Sequence, residues 1–268
     1  MKWKSYWLIA RNTFNENFIY TRDTVSGAIF SIVVLVIQIT VWTALYASVD
    51  NLPIAGRTID DMITYVIVVS LVGLFTSEGR IARLLEERMK SGEIALDAMR
   101  PTSPRLMLAA RTWGDKMMQF LGGGIAVIAC IIWVGGITTP DSIVLWLIFI
   151  SALLLGYIIN LMFAYVTACF AFYFISVNTL NWFISFFVLS MSGAFVPLWL
   201  LPEWLRNIAL ALPFQATIFI PMNIYMGTME YSGLLNLLLI QLAWILGLGI
   251  LQQILWKSGM RRIVIHGG

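Results

Sequence analysis

Histidine occurs once in these 268 residues, cysteine twice, and charged side chains make up only 12% of the chain. Each scarcity excludes something. With His266 as the lone histidine, neither a histidine-based metal site nor a histidine general-base dyad is expected within one chain. Cys130 and Cys169 both fall inside apolar runs without metal-ligand spacing, so they read as small apolar filler. No GxxxxGK[ST] stretch is present, which removes a P-loop nucleotide site. The triplet Gly122-Gly123-Gly124 opens an apolar run rather than following a strand, so it reads as close helix packing and not as a phosphate cradle. An ordinary soluble domain carries about a quarter charged residues. A chain that is 60% hydrophobic with 11 tryptophans and a mean hydropathy of +0.86 is instead an all-α polytopic membrane protein.

What is abundant is apolar sequence of spanning length, about 20 residues for roughly 30 Å of hydrocarbon. Six transmembrane helices are expected: Val25–Ser48, Met62–Ser77, Met117–Thr138, Ile143–Ile175, Leu180–Phe195 and Gly233–Trp256. The stretch from Ser142 to Pro202 carries no charge, and Ser176-Val177-Asn178-Thr179 is its only turn-like break. The piece before that break exceeds a simple crossing and is expected to tilt or project. No charge falls inside any of the six segments so drawn, which speaks against an ion-coupled carrier and an intramembrane hydrolase. No internal repeat of the secondary-transporter kind is visible.

Two segments depart from this pattern. Residues 1–24 lack the apolar core of a cleavable signal. Trp3, Trp7, Ala10, Phe14 and Phe18 instead form one helical stripe among basic and amide residues. An amphipathic N-terminal interfacial helix on the cytoplasmic membrane surface is expected, with an ordinary packed helix as the alternative. Residues 196–222 are interrupted by Pro197, Pro202, Pro213 and Pro221 and carry Glu203 and Arg206. They are too broken to cross as one helix and read as a re-entrant hairpin before the last span. With six spans, every one of the 17 Lys and Arg residues except Arg57 and Arg206 falls on one side. Both termini are therefore expected to be cytoplasmic. Residues 25–268 form the transmembrane domain in this plan.

Much of the charge is gathered in the loop 78–116, which holds eight of the 17 basic and six of the 14 acidic side chains. Ser91 can cap a short helix from Gly92-Glu93 to Met99, with Glu93 at its positive end and Arg100-Pro101 as its stop. Ser103-Pro104 looks like a second helix start, with proline at the first helical position. From the residues alone this stretch reads either as a solvated loop with ordinary helix stops or as a rigid docking or regulatory element.

The string SGEIALDAMRPTSPRL resembles the cytoplasmic loop of one branch of the ABC-2 type transporter permeases. The segment SGAFVPLWLLPEWLRNIALALPF is similar to that family's stretch before the last span. The likeness covers essentially the whole chain. It implies one half of an ABC exporter, with two permease chains, identical or homologous, pairing in the bilayer. Each would seat a coupling helix in a separate ATP-binding subunit. ATP and Mg2+ would belong to that partner, no cofactor to this chain, and the chain itself would not be an enzyme. The resemblance carries the ATPase-coupling role to Gly92, Glu93, Asp97, Arg100, Pro101 and Pro104. It carries the re-entrant lid to Phe195, Pro197, Trp199, Pro202, Trp204 and Pro213.

Asn160, Tyr165, Trp182, Ser185, Phe186 and Met191 are candidates for a pathway taking a hydrophobic or amphipathic substrate, against a plain packing or lipid-facing role. No nucleic-acid partner is expected. The expected location is the cytoplasmic membrane of a prokaryote. An ion-coupled secondary carrier and a non-transporting scaffold or immunity protein remain the alternatives.

Overall fold

A computed structural model describes residues 2–19, 21–50, 52–76, 79–91, 93, 104–174, 176–227 and 231–266. Among these residues the chain is helical, and no strand is formed. The helices are α1 (Lys2–Ile19), α2 (Thr21–Ala47), α3 (Ile59–Thr76), α4 (Gly79–Lys90), α5 (Pro104–Val134), α6 (Ile143–Cys169), α7 (Asn178–Met191), α8 (Glu203–Ala211), α9 (Phe219–Tyr225) and α10 (Tyr231–His266). Short 3-10 turns at Phe170–Phe172, Leu198–Leu200 and Pro213–Ala216 link several of them.

Among the described residues, four stretches are long and apolar enough to cross a bilayer: Ile29–Ala47, Leu106–Val134, Ile143–Phe172 and Gly233–Arg261. The protein is a multi-pass membrane protein. The second and fifth expected spans are helices as well, but shorter. α3 has 18 residues and α7 has 14, about 27 and 21 Å of helix at 1.5 Å per residue. α3 is enclosed over its middle, with Met62, Tyr65, Val66, Ile67, Val68, Val69 and Val72 all buried. A helix apolar all round belongs in an interior, and α2, α5, α6 and α9 surround this one.

Successive long helices turn at alternate ends of the bundle. At the proline-rich end, Tyr46 donates from its hydroxyl to the Arg57 carbonyl (3.1 Å). There too the Thr138 N–H donates to Thr64 Oγ1 (3.1 Å), and the Tyr225 hydroxyl to the Thr138 carbonyl (2.9 Å). The turn before α3 is tight: Ile54 and Arg57 exchange two backbone bonds across Ala55 and Gly56, both at positive φ (50° and 75°). Thr58 and Asp61 then cap α3 reciprocally, Asp61 Oδ2 accepting from the Thr58 N–H (3.0 Å) and Thr58 Oγ1 from the Asp61 N–H (3.3 Å).

Two expectations are refined at the opposite end. α5 runs unbroken from Pro104, so residues 104–116 are the lower turns of a membrane helix rather than loop. Proline stands at the first helical position, where its missing N–H costs nothing. The expectation that no charge lies within a span is corrected by the same helix. Asp115 and Lys116 are 4% exposed each within the span Leu106–Val134. Lys116 Nζ donates to the Leu74 carbonyl (3.2 Å), so its charge meets the negative end of α3 and one of the carbonyls that a helix terminus leaves unpaired. α1 packs along α5 where Gly114 lets it approach; a Cβ there would run into the Ala10 carbonyl oxygen and come within 3.1 Å of Thr13 Cβ. Trp7 stays 61% exposed on the other side of α1, with the Arg11 guanidinium 5.4 Å from its ring centre. One flank of α1 is therefore packed and the other is free to meet headgroups.

Candidate functional site

The α4 end carries the segment expected to couple to an ATPase. Gly92, Asp97, Arg100 and Pro101 lie outside the described residues. Glu93 is exposed, and its N–H points to Ser91 Oγ at 3.4 Å; Pro104 begins α5. What leads into this segment is an amphipathic helix, α4, which sequence reasoning left as undivided loop. Ile81, Ala82 and Leu85 are each 0% exposed. They pack in one cluster with Leu108, Ala164, Tyr165, Ala168, Cys169, Phe172, Val177 and Trp256. Small residues at 164 and 168 make room for α4 on the face of α6. The signal was present in GRIARLLEERMK, whose Ile81, Leu85 and Met89 recur at helical spacing.

Glu86 ties this platform to the helix beyond it. Its Oε1 pairs with Lys90 Nζ (2.6 Å). Its Oε2 accepts from the N–H of Val177 (3.1 Å), the residue that caps α7. The carboxylate thus sits at the positive end of α7. Its pKa lies below the ordinary value, chiefly through the Lys90 bond and opposed by burial, with the Val177 bond adding to the lowering.

At the proline-rich end the expected lid residues divide into two groups. Pro197 and Pro213 are buried. Trp199 meets Tyr65 edge-on at 4.8 Å and carries Arg57 over its ring at 5.4 Å. Phe195 and Trp204 are 64% and 66% exposed, and Pro202 is exposed at the head of α8. Two ties hold the segment down. The Tyr65 hydroxyl donates to the carbonyl of Gly193 (2.8 Å), a residue at φ +86°. Gln241, fully buried in the last span, donates from Nε2 to the carbonyls of Ala152 (2.9 Å) and Ala216 (2.7 Å). Gly156 on α6 sits so close that a Cβ would be 2.8 Å from the Thr217 carbonyl oxygen. Ala152 and Gly156 are small residues one helical turn apart on α6, and this segment is what they pack against. Gln241 was missed, though a glutamine inside an apolar run is the relevant signal.

Between the two ends lies a cavity of about 400 Å³, walled by α2 and α3 on one side and by α6 and α7 on the other. Ala194 just before the proline-rich segment and Ile218 within it also line the cavity, and the segment's Phe214 stacks on the lining Phe163 at 5.1 Å. Among the described residues that line it there is no charged side chain. The hydroxyl protons of Ser70 and Thr167 are donated back to their own helices, to Val66 (2.8 Å) and Phe163 (2.9 Å). Asn160 is different. It is 4% exposed, and its Nδ2 has no partner among the described residues. Burying an unpaired amide costs about 1–3 kcal/mol. Of the expected pathway residues, Asn160 and Ser185 line the cavity. Tyr165 is buried under α4. Trp182 and Phe186 point away from the protein at 73% and 63% exposure, and Met191 is half-buried outside the lining.

A family model described as ABC-2 family transporter protein matches residues 32–267. No curated protein matches the chain, and no solved structure does.

Proposed function

Since the chain belongs to the ABC-2 family of transporter proteins, we propose that it is the transmembrane permease subunit of an ATP-driven exporter. Two permease chains, identical or homologous, would form the pathway, and separate ATP-binding subunits would hold ATP and Mg2+. Six crossings are proposed, with α3 and α7 as the short second and fifth. The proline-rich segment would be a re-entrant lid on the outer face. Both termini and the α4 end would face the cytoplasm of a prokaryotic cell, because the basic residues gather there. The segment 91–104, with Gly92, Glu93, Asp97, Arg100, Pro101 and Pro104, would be the contact to the ATPase.

The observation that carries the coupling role is the α4 platform. Ile81, Ala82 and Leu85 are buried against the α6–α7 junction, and Glu86 is bonded to the cap of α7. A push on segment 91–104 is therefore delivered to α7, one wall of the central cavity, rather than dissipated in a slack loop. The test is to express the chain with a P-loop ATPase encoded beside it, purify the complex in mild detergent and measure vanadate-sensitive hydrolysis and transport. Glu93→Lys and Arg100→Glu should each abolish transport while membrane insertion is retained; normal transport in both removes the coupling assignment.

One observation favours a second reading, an ion-coupled carrier. Asp115 and Lys116 are charges buried in a membrane helix, the residue class used by proton and sodium pathways. Transport that survives ATP depletion and collapses with the ion gradient would select it.

A further inference from the structure

We infer that each protomer holds one uncharged amphiphile in its cavity, entered sideways between α2 and α7, with a head group that both donates and accepts hydrogen bonds placed against Gln38. This rests on the permease reading and deepens it by giving the chemistry of what the chain holds. Gln38 is the midpoint of the span Ile29–Ala47, about 13 Å from either edge at 1.5 Å per residue. No bulk water reaches an amide at that depth, so its donors and its acceptor need partners within the protein or its occupant. Among the described residues the Gln38 side chain has none. It stays reachable all the same: Gln38 is half-buried, and the polar atoms that are both sealed and unpaired are Asn160 Nδ2 and Gln241 Oε1. Val34 and Gln38, one turn apart on α2, both line the cavity, so the glutamine lies on the stripe of α2 that faces it. The volume of about 400 Å³ lies within the range for a single small ligand, roughly 300–1,000 Å³.

The opposite wall repeats the arrangement. On α7, Asn181, Ile184, Ser185, Val188 and Leu189 line the cavity at helical spacing, so one face of this helix is turned to it. The Asn181 side chain is likewise half-buried and without a partner among the described residues. Other polar lining groups are committed or closed off. Ser70 and Thr167 donate to their own helices, Ser192 is buried with its Oγ accepting from the Ala194 N–H (3.3 Å), and the Asn160 amide nitrogen is sealed. Two reachable carboxamides remain, offering donors and acceptors alike. A hydroxyl or amide head group answers both. A charged one would lose its hydration with no counter-ion among the described lining residues. The mouth is lateral: the lining residues that stay exposed, Val34, Ser185 and Leu189, belong to α2 and α7, and these two helices form no packed seam. An occupant that enters there comes from the bilayer and carries an apolar body.

The experiment uses the full chain in mild detergent, without any ATPase, so that failure here and failure of coupling are read separately. The chain is analysed for retained lipid by mass spectrometry, stripped, and titrated with a dansylamino octanol, the matching octanoate and the matching octane. Binding is read as energy transfer from protein tryptophan to the dansyl group, displaced by unlabelled octanol. One octanol per chain should bind saturably, about tenfold tighter than the octane, the effect of one buried hydrogen bond. The ionised octanoate should bind at least tenfold more weakly than the octanol. In Gln38→Leu the preference for octanol over octane should fall below twofold, which a merely structural defect would not produce; where that variant fails to fold, Gln38→Met takes its place. Ile184→Trp, which fills the wall from a half-buried position, should abolish binding. A bulky maleimide on Leu189→Cys should slow association at least tenfold, and the same label on Ile250→Cys, exposed on α10, should not. Neutral lipid retained by the wild type and lost in Ile184→Trp makes the occupant a membrane lipid; octanol binding with no retained lipid makes it a free compound. No saturable binding, octanoate binding as tightly as octanol, binding unchanged in Ile184→Trp, or an octanol preference kept in the Gln38 variant overturns the site. A Leu189→Cys label without effect, or a cysteine there covered by a second chain and unreactive, overturns the lateral entry.

Discussion

Glu86 bonds the α4 platform to the cap of α7, a cavity-lining helix, and removing it should loosen that joint by a calculable amount. Glu86→Ala deletes a charge-assisted bond to the Val177 N–H, 3.1 Å long, worth about 1.5–3 kcal/mol. It also deletes the pair with Lys90, whose side chain is 56% exposed; such an i,i+4 pair contributes only about 0.3–0.5 kcal/mol. The joint should therefore weaken by about 2 kcal/mol, nearly all of it from the Val177 contact, and local opening should rise roughly thirtyfold at 1.4 kcal/mol per tenfold. The place to read this is the first intrahelical bond of α7, the Asn181 N–H to the Val177 carbonyl (2.8 Å), followed by amide hydrogen exchange. Lys90→Ala should change the same amide less than threefold. Acid gives a second arm. Because the folded Glu86 carboxyl titrates below its ordinary value of 4.5, its contribution is complete at neutral pH and is lost as pH falls through that depressed value. Glu86→Gln should be insensitive to the same titration. Asn181 protection within threefold of wild type in Glu86→Ala refutes the joint.

Two other perturbations address the rest of the framework. Gln241→Leu removes two bonds in a dry interior. At about 0.6–1.7 kcal/mol per intramembrane hydrogen bond, detergent-resistant stability should drop by roughly 1–3 kcal/mol, and a cysteine placed at exposed Trp204 should label faster; unchanged stability and labelling would remove the tether. Gly114→Leu should force α1 off α5, since its side chain meets the Ala10 backbone, and should move the Trp7 emission and open α1 to protease, whereas Gly124→Leu, with nothing within 4 Å of its Cβ position, should do neither.

Local pattern carried the reading a long way. Of the six uncharged apolar runs, four coincide with helices long enough to cross among the described residues, the runs at 62–77 and 180–195 gave shorter helices, and Pro104 marked the start of α5. The prolines at 197, 202, 213 and 221 marked the segment that breaks into short turns and two short helices. The family likeness rested on strings within segments of this kind, and the match over residues 32–267 agrees with it. Asn160 and Ser185 were visible as polar residues in apolar surroundings. Tyr165, Trp182 and Phe186 looked equally suitable, because hydropathy states how apolar a residue is and not which way it faces.

The amino-acid sequence thus determined, by itself, that this is a helical membrane protein, which segments are apolar enough to cross, and where its charge is gathered. These are properties of neighbours along the chain, set by period, composition and proline. Only the tertiary structure decided that α3 is enclosed over its middle, that Lys116 bonds to its last turn, and that Asn160 Nδ2 is buried without a partner among the described residues. The deciding contacts join residues far apart: Glu86 to Val177 across 91 positions, Gln241 to Ala152 across 89, and Tyr65 to Gly193 across 128. Which distant partner meets a buried polar group is settled by how helices pack, since each such group must find a partner inside or remain without one at a cost.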